Sequence, residues 1–165
     1  MADLLDPGNL PDSFADEAEV EAFMARPSQT LIDDLARIDG DIAILGAGGK
    51  MGPTLAMLAC NAAPDKKIYA VARFSEVGVE DRMAANGVET IRADLLDRDA
   101  LADLPDVANI IFMAGRKFGS EGSEELTWAM NVHVPALVAE RYRDCLLYTS
   151  PSPRDQRGSR MPSSA

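Results

Sequence analysis

The sequence predicts an α/β protein built on a doubly wound parallel sheet with helices on both faces. Two observations predict this fold class. From residue 41 onward, short apolar stretches of strand length alternate with stretches of helical periodicity, as in a parallel sheet with crossover helices. The first apolar stretch also runs into a turn with four glycines, at which a helical stretch begins. The 165 residues suffice for one domain with a substantial core.

Residues 1–40 are predicted to form an acidic helical extension that precedes the sheet. Ser13 and Asp16 resemble a helix-start signal, and a second helix is predicted to begin at Ser28 or Thr30. The apolar stripes of both helices are short, which favours an outer layer of the domain over a surface for a partner.

The turn after the first strand contains two overlapping glycine patterns. Gly46-x-Gly48 begins the common dinucleotide fingerprint, but its third glycine would fall at Met51 and is missing. The alternative pattern, Gly46-x-x-Gly49-x-x-Gly52, is complete. The sequence therefore favours the second spacing.

A glycine turn at a helix start is suited to an anion such as a pyrophosphate. Backbone N–H groups point at the anion there, and the helix dipole favours negative charge. A P-loop is excluded, because Lys50 is followed by Met51 rather than by Ser or Thr. A tight turn without a ligand is the remaining alternative.

Strands and helices continue to alternate after this turn. The predicted strands cover 67–73, 88–94 and 108–113, and the predicted helices cover 80–86, 97–104 and 124–143. The sheet is expected to be truncated after about the fourth strand and the following helix, so that 41–144 form a partial domain.

The end of the second strand bears on the choice between two nicotinamide cofactors. NAD-binding proteins place an acid there, which accepts a hydrogen bond from the ribose 2′-hydroxyl. This chain has Arg73 and Ser75 instead, and its first acid is Glu76. Arg73 suits a 2′-phosphate, and Ser75 can add a hydrogen bond, which favours NADP over NAD. A surface arginine without a ligand is the alternative.

The ends of the third and fourth strands supply further candidates. Asp94 and Leu95 close the third strand, where a carboxylate can accept the exocyclic N–H of an adenine. Asp97 is the better cap for the next helix, which leaves Asp94 available for a ligand. Ala114 and Gly115 close the fourth strand, and small residues there let a cofactor pass near the sheet edge.

The long last helix contains a proline and two polar residues of interest. Pro135 removes one helical hydrogen bond and predicts a kink. Asn131 lies one turn earlier, where its side chain is predicted to serve a freed carbonyl or a buried water. His133, the single histidine, is predicted to be packed or exposed rather than catalytic.

These motifs resemble the amino-terminal half of an NAD(P)-dependent epimerase/dehydratase of the extended short-chain dehydrogenase/reductase family. The resemblance covers about residues 41–144 and rests on the order and spacing of Gly46-x-x-Gly49-x-x-Gly52, Asp94-Leu95, the strand end Phe112-Met-Ala-Gly115 and Asn131-Val132. It implies a Rossmann fold and reversible hydride transfer at a carbinol carbon, often in a nucleotide sugar.

The resemblance also implies a cofactor site for NADP, which is favoured, or NAD. The residues expected to contact the cofactor are Gly46, Gly48, Gly49, Lys50, Met51, Gly52, Arg73, Ser75, Asp94, Leu95, Ala114 and Gly115. Asn131 is expected to support catalysis, and no metal is expected.

Catalysis in this family uses a Ser/Thr and a Tyr-x-x-x-Lys pair, in which the lysine lowers the tyrosine pKa. None of Tyr69, Tyr142 and Tyr148 is followed by a lysine four residues later. We therefore expect this fragment to be inactive and the intact gene to encode the pair soon after residue 144. The alternative function is a non-catalytic NADP-sensing or scaffold protein of the same fold.

Residues 145–165 are predicted to be a non-native disordered tail. Their Ser, Pro and Arg content is typical of disorder. In addition, 145–155 and 159–165 resemble a translated sequencing adaptor, with 156–158 in the place of a barcode. A natural disordered tail is the alternative.

The net charge of −11 argues against nucleic-acid and anionic-membrane partners. No apolar run approaches the roughly 20 residues of a membrane helix, and the acidic start is unlike a targeting signal, so a cytoplasmic protein is predicted. Two cysteines and one histidine are too few for a disulfide framework or a histidine-rich metal site. The expected partners are a small-molecule substrate and, for the full-length protein, a second copy of the chain.

Overall fold

The computed structural model describes residues 3–116 and 122–149. Its parallel sheet consists of β1 Ile42–Leu45, β2 Ile68–Ala72, β3 Glu89–Arg92, β4 Asn109–Phe112 and β5 Leu146–Thr149. The strand order is β3-β2-β1-β4-β5. This order confirms the predicted α/β fold with a Rossmann-type doubly wound sheet.

The helices alternate with the strands as predicted. They are α1 Glu17–Met24, α2 Gln29–Leu35, α3 Gly52–Ala62, α4 Val79–Ala85, α5 Arg98–Ala102, α6 Glu124–Trp128, a π-helix over Ala129–His133, and α7 Val134–Arg141. Within the described ranges, no helix is long and apolar enough to cross a membrane.

The central strand β1 is buried along its whole length, because helices cover both faces of the sheet. Ile42 and Ile44 point to one face, where they join a buried cluster with residues of α3 and α4. Ala43 and Leu45 point to the other face and pack with residues of α5 and α7. Because successive side chains of a strand point to opposite faces of the sheet, this one apolar run contributes to two cores.

The amino-terminal extension contains α1 and α2. The N-cap of α1 is Asp16, whose carboxylate accepts a hydrogen bond from the Glu19 amide at 2.9 Å. The predicted start signal at Ser13 therefore lies three residues too early, since the aspartate itself is a strong N-cap. Ser28 caps α2, as predicted, and accepts from the Leu31 amide at 3.2 Å.

The extension packs against the outer side of α3. The Asn61 side chain donates to the Ala25 carbonyl at 2.9 Å, and Ala25 itself is buried. Glu21 of α1 forms an ion pair with Arg82 of α4 at 3.2 Å. These contacts attach the extension to α3, which begins at the glycine turn, and to α4.

The structure adds one strand to the predicted sheet. Leu146–Thr149 pair in parallel with Asn109–Phe112, so ordered backbone continues into the stretch that the sequence analysis assigns to a disordered tail beginning at 145. The reason is physical: a short apolar, β-prone run pairs readily with the open edge of β4. Strand pairing uses backbone groups and therefore does not distinguish a natural segment from a translated adaptor. The adaptor origin of 145–165 stays a prediction.

Tyr142, which follows α7, should make the free energy of unfolding depend on pH. It is 1% exposed, its hydroxyl donates to the Pro105 carbonyl at 3.2 Å, and burial raises the pKa of the phenol. Because the folded state favours the neutral form, the stabilisation is complete below the unfolded pKa of about 10 and is lost as pH rises through the folded pKa.

We expect Tyr142→Phe to cost about 1 kcal/mol near neutral pH, because the buried carbonyl loses its donor. We also expect its stability to decline less than that of the wild type as pH rises from about 9 to 11. Urea unfolding across this pH range measures both effects. Equal slopes for the two proteins would contradict the assignment.

Candidate functional site

A cleft of about 250 Å³ lies at the carboxyl ends of β1 to β4. Four chain segments that follow neighbouring strands form its walls, together with Met130 of the π-helix. The lining residues are Gly46, Gly48, Gly49, Ala72, Arg73, Phe74, Ser75, Ala93, Asp94, Leu95, Met113, Ala114, Gly115 and Met130. The structure thus brings nine of the predicted cofactor residues around one cavity, in the position where doubly wound sheets bind ligands.

The glycine turn between β1 and α3 is packed too tightly for side chains at two positions. Gly46 has φ +91°, and a Cβ there would lie 2.5 Å from the Ala114 amide nitrogen. A Cβ on Gly52 would lie 2.1 Å from the Ala47 carbonyl oxygen. By contrast, a Cβ on Gly49 would meet only the Gly46 carbonyl oxygen, at 3.7 Å. Gly46 and Gly52 therefore shape the turn, whereas Gly49 leaves space beside the cleft.

The turn offers unused hydrogen-bond donors. The amides of Gly49 and Gly52 are bonded within the turn, at 3.3 and 3.2 Å. Among the described residues, the amides of Gly48, Lys50 and Met51 find no protein acceptor. Three free N–H groups at the start of an 11-residue helix are suited to an anion.

Three predicted cofactor residues lie outside the lining of the main cleft. The Lys50 side chain borders an adjoining depression beside Glu17 of α1, and the Met51 side chain is exposed. Gly52 is buried under the turn. Of the three residues with free amides, Gly48 lines the main cleft, and Lys50 and Met51 follow it in the same turn.

The loop between β2 and α4 (residues 73–78) carries the second group of predicted residues. Arg73 and Ser75 are exposed at the mouth of the cleft, and Phe74 between them is buried. Phe74 has φ +47°, a left-handed conformation that costs roughly 1–2 kcal/mol for a residue with a side chain. With this backbone conformation the Phe74 ring is buried, while the side chains of Arg73 and Ser75 are exposed.

Asp94 follows β3 and reaches the cleft, as predicted. Its carboxylate accepts a hydrogen bond from the Leu96 amide at 3.0 Å. Asp97 caps α5 and accepts from the amides of Asp99 and Ala100 at 3.0 and 3.3 Å. The expectation that Asp97 rather than Asp94 caps this helix is confirmed.

Asn131 ties the last helical segment to the end of β4. Its Oδ1 accepts from the Arg116 amide, and its Nδ2 donates to the Arg116 carbonyl, both at 2.7 Å. A Cβ on Gly115 would lie 3.3 Å from Asn131 Oδ1, so the small residue permits this approach. The side chain thus bonds to the cleft wall rather than to a freed helix carbonyl, which corrects the prediction.

The helix around Asn131 is widened into a π-helix immediately before the proline, and the kink at Pro135 stays a prediction. The π-helix over Ala129–His133 precedes Pro135, which occupies the first turn of α7. The Val134 amide bonds to the Ala129 carbonyl, five residues back. A helix needs no amide donor in its first turn, so Pro135 is accommodated there. The irregular hydrogen bonding lies in the preceding segment, which carries Asn131.

Replacing Asn131 with alanine removes both bonds to the Arg116 backbone. We expect a loss of about 1–2 kcal/mol in the free energy of unfolding. Asn131→Asp keeps the acceptor and should fall between alanine and the wild type. Denaturant unfolding measures the effect, with His133→Ala as a control on the same exposed helix. Equal stability of the Asn131→Ala and His133→Ala proteins would contradict this account.

Sequence reasoning missed several residues of the cleft. Phe74, Met113 and Met130 line it, yet each reads as an ordinary core residue in the sequence. The available signal was that each adjoins a predicted site residue: Phe74 adjoins Arg73 and Ser75, Met113 adjoins Ala114, and Met130 adjoins Asn131. The sequence also offers Arg116 or Lys117 as a contact for an anionic substrate, although charged loop residues are more often solvated. The Arg116 guanidinium donates a hydrogen bond to the Ser123 hydroxyl at 2.8 Å, and Lys117 lies outside the described residues.

The strand order and the position of the cleft identify a Rossmann-type α/β domain with a cavity at the carboxyl ends of its strands. No protein-family model and no curated protein matches the chain. Two solved structures share the fold. L-threonine dehydrogenase from Clostridium difficile is 22% identical with a TM-score of 0.59, and the match covers 68% of this chain and 36% of that one. Pen from Bacillus thuringiensis is 13% identical with a TM-score of 0.56, covering 64% and 35%.

The chain thus spans about a third of the length of these two structures. At such low identity the likeness shows the fold. It carries no information on activity or substrate.

Proposed function

We propose that this chain is the dinucleotide-binding part of an NAD(P)-dependent oxidoreductase. One observation carries the proposal: three free amides of the glycine turn lie beside a cleft walled by the ends of four parallel strands. A dinucleotide needs both an anion site for its diphosphate and an elongated cleft for its two nucleosides.

The residues of the cleft fit such a group at several points. The amides of Gly48, Lys50 and Met51 would hold the diphosphate. Asp94 would accept a hydrogen bond from the adenine amino group. The cofactor would supply hydride chemistry, and the task of these residues is to bind and orient it.

The exposed pair Arg73 and Ser75 supports NADP over NAD. A guanidinium at the end of β2 matches the charge and shape of a 2′-phosphate, whereas no carboxylate lies in this segment before Glu76. The small residues Ala114 and Gly115 would let the cofactor pass over the end of β4.

For the full-length protein we propose an epimerase/dehydratase or related oxidoreductase, with a nucleotide sugar as one candidate substrate. The glycine spacing and the residues at the ends of β3 and β4 support this class, and the shared fold with L-threonine dehydrogenase supports hydride chemistry. The uninterrupted gene is expected to encode Tyr-x-x-x-Lys soon after residue 144. Sequencing the locus tests this; an in-frame stop, or the absence of such a pair, would exclude it.

Calorimetric titration of the full 165-residue chain with NADPH and with NADH tests the binding proposal. We expect one site per chain and tighter binding of NADPH. Gly49→Ala should keep the fold but weaken binding at least about tenfold, or about 1.4 kcal/mol, because its methyl group occupies the space beside the turn. If the wild type binds neither nucleotide, or if Gly49→Ala binds like the wild type, the proposal fails.

A non-catalytic NADP-sensing or scaffold protein is the second candidate. The acidic extension favours it, because α1 packs on α3 and α4, two helices that border the glycine turn and the β2–α4 loop. A partner on the extension could therefore sense the bound nucleotide. NADPH binding by the full-length protein without turnover of any hydroxyl or carbonyl substrate would favour this candidate.

A further inference from the structure

Arg92, the last residue of β3, reaches across to the β2–α4 loop. Its Nη1 donates to the backbone carbonyl of Arg73 at 3.2 Å and to that of Phe74 at 3.4 Å. The guanidinium also lies 5.8 Å from the centre of the Phe74 ring. One cation therefore contacts two consecutive peptide groups of the segment that carries Arg73 and Ser75.

The same guanidinium connects the loop to α4. Nη2 of Arg92 forms an ion pair with Glu80 in the first turn of that helix. The carboxylate of Glu80 is mostly covered, whereas Arg92 keeps 62% of its side chain exposed. Arg92 thus joins β3, the start of the loop and the helix at its end.

Phe74 links this arrangement to the glycine turn. A Cβ added to Gly48 would lie 3.8 Å from the Phe74 amide nitrogen and 3.9 Å from its ring, so the turn lies close beside the loop. The left-handed conformation of Phe74 is unfavourable for a residue with a side chain and needs support from its surroundings. Arg92 donates to the carbonyl of Arg73, which precedes Phe74, and to the carbonyl of Phe74 itself.

We propose that Arg92 is a positioning residue, which holds the β2–α4 loop so that Arg73 and Ser75 face the ribose end of the cleft and select NADPH over NADH. The proposal rests on the proposed dinucleotide function. It assigns Arg92 no contact with the cofactor, because Nη1 bonds to the loop, Nη2 pairs with Glu80, and Arg92 does not line the cleft. A direct bond from Arg92 to the 2′-phosphate is the competing role.

Four variants of the full chain separate these roles. Arg92→Gln removes the charge and the fork of donors, and Arg92→Lys keeps only the charge. Glu80→Gln removes the ion pair but keeps the bonds to the loop. Arg98→Gln is the matched control, since Arg98 is exposed on α5 and forms no hydrogen bond or ion pair with the described residues. The measurements are NADPH and NADH affinity, and amide hydrogen exchange of residues 73–78 without nucleotide.

The positioning role predicts that Arg92→Gln weakens NADPH binding about tenfold and NADH binding at most about threefold. Arg92→Lys should resemble Arg92→Gln, because an ammonium cannot reproduce the bonds of a planar guanidinium. Glu80→Gln should weaken NADPH binding about threefold. Exchange of the loop amides should become faster in both Arg92 variants and stay unchanged in Arg98→Gln.

Other outcomes overturn the proposal. If Arg92→Gln matches Arg98→Gln in affinity and exchange, Arg92 does not hold the loop. If Arg92→Lys binds NADPH like the wild type and Glu80→Gln binds it more tightly, Arg92 contacts the phosphate directly. If the wild type binds neither nucleotide, the proposed function fails and the selectivity assigned to Arg92 fails with it. In that case, amide hydrogen exchange of residues 73–78 without nucleotide still shows whether Arg92 orders the loop.

Discussion

Replacing Gly46 with alanine is expected to cost roughly 3–5 kcal/mol, because it combines a left-handed backbone with overlap against the Ala114 backbone. Gly52→Ala is expected to cost roughly 3 kcal/mol through overlap with the Ala47 carbonyl. Losses of this size are a large part of the roughly 5–15 kcal/mol that stabilises a typical domain. Both proteins should melt roughly 6–20 °C below the wild type or fail to fold.

Gly49→Ala is the matched control for these two variants. It introduces the same methyl group in the same turn, where the nearest atom would lie 3.7 Å away. Its melting temperature should stay within a few degrees of the wild type, since no atom has to move. Thermal unfolding followed by circular dichroism measures all three proteins. Similar melting temperatures for the three variants would show that the turn is not packed as described.

Reversing the charge of Arg73 is expected to reverse the cofactor preference. Arg73→Glu removes the partner of a 2′-phosphate and supplies an acceptor for a ribose 2′-hydroxyl. We expect NADPH affinity to fall about 10- to 100-fold, the range for a hydrogen bond between charged groups, while NADH affinity rises or stays the same. Fluorescence titration of the reduced nucleotides measures both affinities.

Arg98→Glu controls for the change in net charge. It makes the same substitution on the exposed surface of α5, so any general repulsion of an anion by the more acidic protein appears in both variants. A similar loss of NADPH affinity in the two proteins would contradict a specific role for Arg73. An unchanged ratio of NADPH to NADH affinity in Arg73→Glu would do the same.

The parts of the fold that sequence predicts well are those with local causes. Alternating strands and helices follow from apolar periodicity, and the start of α3 follows from glycines that only a tight turn requires. Candidate residues such as Arg73 and Asp94 could be identified because parallel strands end at one edge of a sheet. Their convergence on one cleft is a consequence of topology.

The parts that sequence does not predict depend on contacts between distant segments. Nothing near Arg92 indicates that its guanidinium contacts a loop 18 residues away. The two bonds between Asn131 and Arg116 also join separate segments, and they replace the local role that a proline four residues later suggests. The pairing of β5 with β4 likewise depends on an open strand edge, which exists only after the sheet has formed.

If the glycine turn binds the diphosphate of a dinucleotide, its amides should respond when NADP⁺ is added. Amide chemical shifts of the ¹⁵N-labelled chain, titrated with NADP⁺, measure that response. We expect saturable shifts that are largest for the amides of Gly48, Lys50 and Met51, with further shifts at Asp94 and Arg73. Saturable shifts confined to another surface, or no shifts at millimolar nucleotide, would contradict it.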